Sequence, residues 1–123
     1  MIIGIGTDII EVARIKKLLV EYGAHSLNKI WTDTEIDYCE SFGKRKYEHY
    51  AARFAAKEAF SKAIGTGLSN SFAFKDVAVQ NLASGNPIIV LNNIMKERWG
   101  NYTTHLSIAH TEANAIAYVV IEE

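Results

Sequence analysis

Tyr47-Glu48-His49-Tyr50-Ala51-Ala52-Arg53-Phe54-Ala55-Ala56-Lys57-Glu58-Ala59-Phe60-Ser61-Lys62-Ala63-Ile64 is the stretch whose reading decides the fold. It is rich in alanine, the best helix former, and Gly65 follows it, so it predicts the longest helix of the chain, from about Tyr47 to Ile64. On a wheel of about 100° per residue, Arg53, Lys57, Glu58, Ser61 and Lys62 share one half and Ala55, Ala56, Ala59, Phe60 and Ala63 the other. The alanines admit close backbone approach. Phe54 falls in the polar half, which implies that this half faces more than solvent.

Upstream, Met1 to Ile9 reads as a strand with Ile3 and Ile5 on one face and Gly4, Gly6 and Asp8 on the other. The glycines predict open space beside Asp8. Val12, Ile15, Leu18, Leu19 and Tyr22 recur at helical spacing, Arg14, Lys16 and Lys17 form a basic outer side, and Gly23 ends the run. Thr32-Asp33-Thr34-Glu35 has the spacing of a capping box and predicts a helix to about Phe42. Gly43-Lys44-Arg45-Lys46 is a polar connection. Downstream, Gly65 to Asn70 is a loop, Phe74 to Gln80 and Ile88 to Leu91 form a hairpin about Ser84-Gly85-Asn86, and Asn92 to Trp99 is a short helix. Thr103 to Ala109 and Asn114 to Ile121 are the last strands. The order β-ααα-ββ-α-ββ predicts an α+β fold: an antiparallel sheet packed against helices in one small two-layer domain spanning residues 1–123.

Composition narrows the function classes. Hydrophobic residues make up 49% and charged residues 22%, which is ordinary globular usage, and a net charge of -1 removes the broad electrostatic case for nucleic acid. The cations are concentrated in the first half, where an anionic ligand is expected to dock. No apolar run is long enough to span a bilayer, Met1-Ile2-Ile3-Gly4 lacks a signal-peptide layout, and the single Cys39 has no internal disulfide partner. These features predict a cytoplasmic protein without a membrane partner.

The chemistry concentrates on two acids placed where apolar patterning predicts burial, Asp8 and Glu58. Desolvating a carboxylate costs several kcal/mol unless it is paired or holds a metal, so a shared cation is the first expectation. Magnesium suits two acids without a histidine cluster, because it completes its octahedron with water and substrate phosphates. Glu58 and Lys62, one turn apart, could equally form an exposed ion pair, and Asp8 could cap the next helix. Gly65 reads better as a helix stop than as a phosphate loop. His105 and Ser107 share a strand face and His110 has the opposite parity, so they make no nucleophilic triad.

Three segments together resemble the short bacterial holo-acyl-carrier-protein synthases, one class of 4′-phosphopantetheinyl transferases. They are Gly4-Ile5-Gly6-Thr7-Asp8-Ile9-Ile10-Glu11, then Arg53 to Ala63 with Gly65-Thr66-Gly67, and His105-Leu106-Ser107-Ile108-Ala109-His110. The resemblance runs nearly end to end. It implies a phosphopantetheinyl transferase-like fold and transfer of 4′-phosphopantetheine from coenzyme A to a serine of apo acyl carrier protein in fatty acid biosynthesis, releasing adenosine 3′,5′-bisphosphate. It implies that Asp8 and Glu58 hold Mg2+ and that Lys62 stabilises charge on the leaving phosphate. Lys44, Arg45, Arg53, Gly65 and His105 are then candidates for the coenzyme A phosphates and nucleotide. The general base is left open between Glu58, acting through a water on the metal, and His105. Arg14, with Lys16 and Lys17, is expected to meet the acidic carrier protein, although Glu21 and Ala24 weaken the later part of that surface. The resemblance also implies a homotrimer with sites between subunits. Two readings compete: a trimeric nucleotide-binding regulator without transferase activity, and a metal-dependent pyrophosphate hydrolase, which calls for a denser acidic motif.

Overall fold

The structure, a computed structural model, describes residues 1–68 and 72–123. Its elements are β1 (Ile2–Glu11), α1 (Val12–Tyr22), α2 (Ala24–Ile30), α3 (Asp33–Glu40), a 3-10 turn at Gly43–Arg45, α4 (Lys46–Ala63), a second 3-10 turn at Phe74–Asp76, β2 (Val77–Asn81), β3 (Pro87–Leu91), α5 (Asn93–Trp99), β4 (Thr103–His110) and β5 (Asn114–Glu122). The α+β expectation holds, with two antiparallel units: a sheet in the order β1-β5-β4 and a separate β2-β3 hairpin. Ser69 and Asn70 of the expected loop lie outside the described residues.

Helix α2 has no counterpart in the sequence reading. It is seven residues long, enters from Gly23 at φ 53° and has no side-chain cap, so neither propensity nor capping announces it. Packing supports it instead, since Leu27 and Ile30 rest on the core beside the fully buried Trp31. The capping box of α3 forms as read: Thr32 Oγ1 accepts from the Glu35 amide at 3.3 Å, and Glu35 Oε1 accepts from the Thr32 amide at 2.9 Å.

The glycine face of β1 is the core face, and the space predicted beside Asp8 is filled. Gly6 lies so close to α4 that a Cβ would run into the Ala59 carbonyl oxygen, and one at Gly4 would meet that of Ala63. The helix backbone thus replaces the missing side chains as the packing partner. The polar half of α4 does face more than solvent, as Phe54 implies. Arg53, Lys57 and Ser61, placed on its polar half, are buried, because α3 and β2 cover the side that the sheet does not. Lys62 alone of that group is exposed. The isoleucine face of β1 points away from the helices, leaving Ile5 64% and Ile9 67% exposed.

Candidate active site

Asp8 and Glu58 come together where β1 crosses α4. Asp8 is 8% exposed, and Glu58 is half-buried. The ammonium of Lys62, one turn after Glu58, donates to Asp8 Oδ1 at 3.0 Å and to the Thr7 carbonyl at 3.0 Å. Lys62 therefore pairs with Asp8 rather than forming the surface pair with Glu58 that spacing alone allowed. Nor does Asp8 cap α1, whose cap residue is Glu11 with no side-chain bond.

Burial and the adjacent Asp8 carboxyl push the Glu58 carboxyl up to about 7, against the opposing pull of Lys62 and Arg14. Like-charged acids in one site resist double ionisation, and desolvation adds to that resistance. Buried Asp8 Oδ2 has no hydrogen-bond partner among the described residues. A shared proton or a bound cation are the two ways to satisfy it, and hard oxygen donors suit Mg2+. The residues present therefore fit the expected metal.

The other candidates are distributed around this centre. Gly65, at φ 84°, follows the last turn of α4, and the amides of Thr66 and Gly67 close back on the Ser61 carbonyl at 3.2 and 3.0 Å. It acts as the helix stop that the sequence suggests. Arg45 donates through Nε and Nη2 to Glu48 at 3.0 and 3.2 Å, and Glu48 also bonds His110 Nδ1 at 3.0 Å. Arg45 and His110 hold the buried Glu48 carboxyl down at about 2. Lys44, Arg45 and Lys16 line a cleft of about 530 Å³ together with Glu11, Glu48 and Glu112.

Arg14 and Lys17 flank a different, smaller depression with Phe54 and Ile15. The basic side of α1 is thus split, with Lys16 turned to the Lys44 cleft and stacked over Tyr47 at 5.6 Å.

Arg53 is buried, lies over the Tyr38 ring at 4.0 Å, donates through Nη2 to Asn81 and leaves Nε unpartnered among the described residues. It lines a third cleft, of about 430 Å³, between α3, α4 and the β2-β3 turn. His105 stands on the outer face of β4, in register with Val120 and Ile5, and its Nε2 bonds Glu122 at 2.7 Å. Asp8 is on the inner face of β1, two strands away, so one chain does not bring them together. Sequence reasoning missed the partners Thr7, Asn81, Glu48 and Glu122. All but Thr7 are ordinary polar residues outside the motifs, and Thr7 contributes only its backbone.

Residues 4–119 match the 4′-phosphopantetheinyl transferase superfamily. The chain belongs to that superfamily. A curated holo-[acyl-carrier-protein] synthase of Ruminiclostridium cellulolyticum is 44% identical over 95% of this chain and 90% of its own. The crystal structure of a holo-(acyl-carrier-protein) synthase from Bacillus anthracis in complex with CoA (3′,5′-ADP) is 41% identical, with TM-score 0.83 over 99% of this chain and 97% of that one. That of the Neisseria meningitidis holo-[acyl-carrier-protein] synthase is 35% identical, with TM-score 0.88 over the whole of both chains. The chain is accordingly a phosphopantetheinyl transferase with the fold of those synthases.

Proposed function

We propose that this chain transfers 4′-phosphopantetheine from coenzyme A to a serine of apo acyl carrier protein, releasing adenosine 3′,5′-bisphosphate, and that it serves fatty acid synthesis in the cytoplasm. The observation that carries the reading is the buried Asp8 carboxylate with its unsatisfied oxygen beside Glu58 and Lys62, in a member of this transferase family. Asp8 and Glu58 would hold Mg2+, which when bound counters charge on the pyrophosphate. Lys62 sets a cation beside Asp8, where the departing phosphate gains charge as its bond to the pantetheine phosphorus breaks. Glu58 would take the proton of the attacking serine, and His105, on the far face of the sheet within one subunit, could serve only from a neighbouring subunit. Incubation with coenzyme A, magnesium and an apo carrier protein should add one phosphopantetheine to the carrier by intact mass. An unmodified carrier would end the proposal.

Because Glu58 titrates at about 7, a proton competes with the cation below that pH. Magnesium affinity should rise about tenfold per pH unit up to neutrality and then level, as expected for one displaced proton. Calorimetric titrations below and above neutrality test this, and a pH-independent affinity would contradict it.

A homotrimer is supported by the uncovered sheet face. Across it run Ile5, Val120 and His105, then Ile9, Ile116 and Ala109, with Tyr118 50% exposed between the rows. Such a face invites burial by a second copy. It also carries His105, so assembly is the means by which His105 would reach another subunit's carboxylates. Light scattering should give three times the chain mass, and a fully active monomer would rule this out.

Arg14 should serve the carrier protein. Arg14→Glu should raise the carrier KM several-fold, as loss of charge steering does, leave the coenzyme A KM nearly unchanged, and be mimicked by salt. The opposite split would assign α1 to the nucleotide, an outcome given point by the reach of the Arg14 charge to Glu58.

A further inference from the structure

Lys57 sits inside the motif of α4, next to Glu58, yet the chemistry above gives it no task. It is fully buried and forms an ion pair with equally buried Glu35 at 2.8 Å. Lys57 Nζ also donates to the carbonyls of Phe74 and Val77 at 3.0 and 2.8 Å. Glu35 Oε1 accepts from the Thr32 amide as well, while Oε2 accepts from the Val79 amide at 3.0 Å. All three ammonium protons and both carboxylate oxygens are thereby used.

The elements joined by this network are the three walls of the Arg53 cleft. Glu35 of α3 is the neighbour of Thr34, Lys57 of α4 is one turn beyond Arg53, and Val79 of β2 is itself a lining residue. A buried ion pair is weak evidence for stability, since apolar groups of similar volume often do as well, but its directed bonds define a geometry. Core packing of Val77 and Val79 holds the hairpin on the helices, and the Glu35 and Lys57 bonds fix its register against α3 and α4. Arg53 in turn reaches that hairpin through Asn81, whose side chain also donates to the Gly85 carbonyl at 2.9 Å.

We propose that Lys57 and Glu35 are positioning residues that lock the β2-β3 hairpin onto α3 and α4, and so set the cleft in which Arg53 waits for its anion. The functional half of this inference rests on the reading of Arg53 as a coenzyme A contact. Glu35→Gln is the selective probe. Its amide oxygen can keep Lys57 and the Thr32 cap, but its NH2 then faces the Val79 N–H, donor against donor, so that the direct bond from α3 to β2 is lost while Lys57 keeps its bond to Val77.

In the otherwise intact protein, Glu35→Gln should raise the coenzyme A KM about tenfold and change kcat less than about threefold, the signature of a lost binding geometry. Hydrogen exchange of the amides of residues 77–81 should speed up about tenfold while that of α4 stays as in the parent. Lys57→Met with Glu35→Leu removes both charges and keeps the volume, so it carries the same test if a single change unfolds the protein. Unchanged exchange in the hairpin would overturn the proposal, as would an unchanged coenzyme A KM with kcat lowered only in proportion to unfolded protein. Arg53→Met separates the two claims. A parental coenzyme A KM in that variant removes coenzyme A from the cleft, and the exchange measurement then decides the hairpin tie by itself.

Discussion

Asp8→Asn and Glu58→Gln should each lower transfer by roughly 10²–10³-fold, the size of effect seen when one preorganised charge is removed from a reaction centre. Neither change should unfold the protein, for volume is nearly unchanged and both substitutions relieve a strained meeting of acids. Glu58→Gln abolishes the group that burial and Asp8 hold near pH 7, so it should also remove the pH dependence of magnesium binding. Asp8→Asn keeps an oxygen for Lys62, whose bond at 3.0 Å need not break. The expected pattern is therefore a fall in kcat with melting temperature held or raised, and insensitivity of the residual rate to magnesium. Full turnover by both variants at saturating coenzyme A, or undiminished parental turnover in chelator, would remove the metal from the mechanism.

The pairing of Asp8 with Glu58 was legible because each acid sat in an apolar pattern and could not be buried alone. What pattern could not supply was the opposing surface. The glycines of β1 predicted open space beside Asp8, and in the structure α4 packs its own backbone against them. Phe54 showed that the polar half of α4 faces more than solvent but not what it faces: Arg53 and Lys57 bond to Asn81, Val77 and Phe74, residues far along the chain that no helical wheel contains. Glu35 shows both outcomes in one side chain. Its place in the capping box is a local rule and was read correctly, whereas its bonds to Lys57 and Val79 depend on tertiary packing and left no local trace. Short α2 escaped for the same reason, being held by what it packs on rather than by its own propensity.

The largest effect on the fold should come from Gly6→Ala, the smallest substitution in side-chain volume. The added methyl would be driven into the Ala59 carbonyl and would lie 2.8 Å from the Ala63 amide nitrogen, both backbone atoms of a helix that cannot rotate aside. β1 and α4 must separate to admit it, and overpacking of this kind costs about 1–3 kcal/mol and occasionally more. Against a total stability of about 5–15 kcal/mol that is a serious loss, and it should lower the melting temperature by roughly 5–10 °C at the few degrees per kcal/mol usual for this size. Function should suffer beyond the loss of stability. Asp8 is two residues after Gly6 on β1, and Glu58 is the residue before Ala59 on α4, so the collision lies next to both acids along the chain. Any separation that relieves the clash draws the acids apart, and magnesium affinity of the remaining folded protein should fall with it. A parental melting temperature would show that the strand and helix do not meet backbone to backbone. Parental magnesium affinity in a destabilised variant would show that the crossing of β1 and α4 does not set the distance between Asp8 and Glu58.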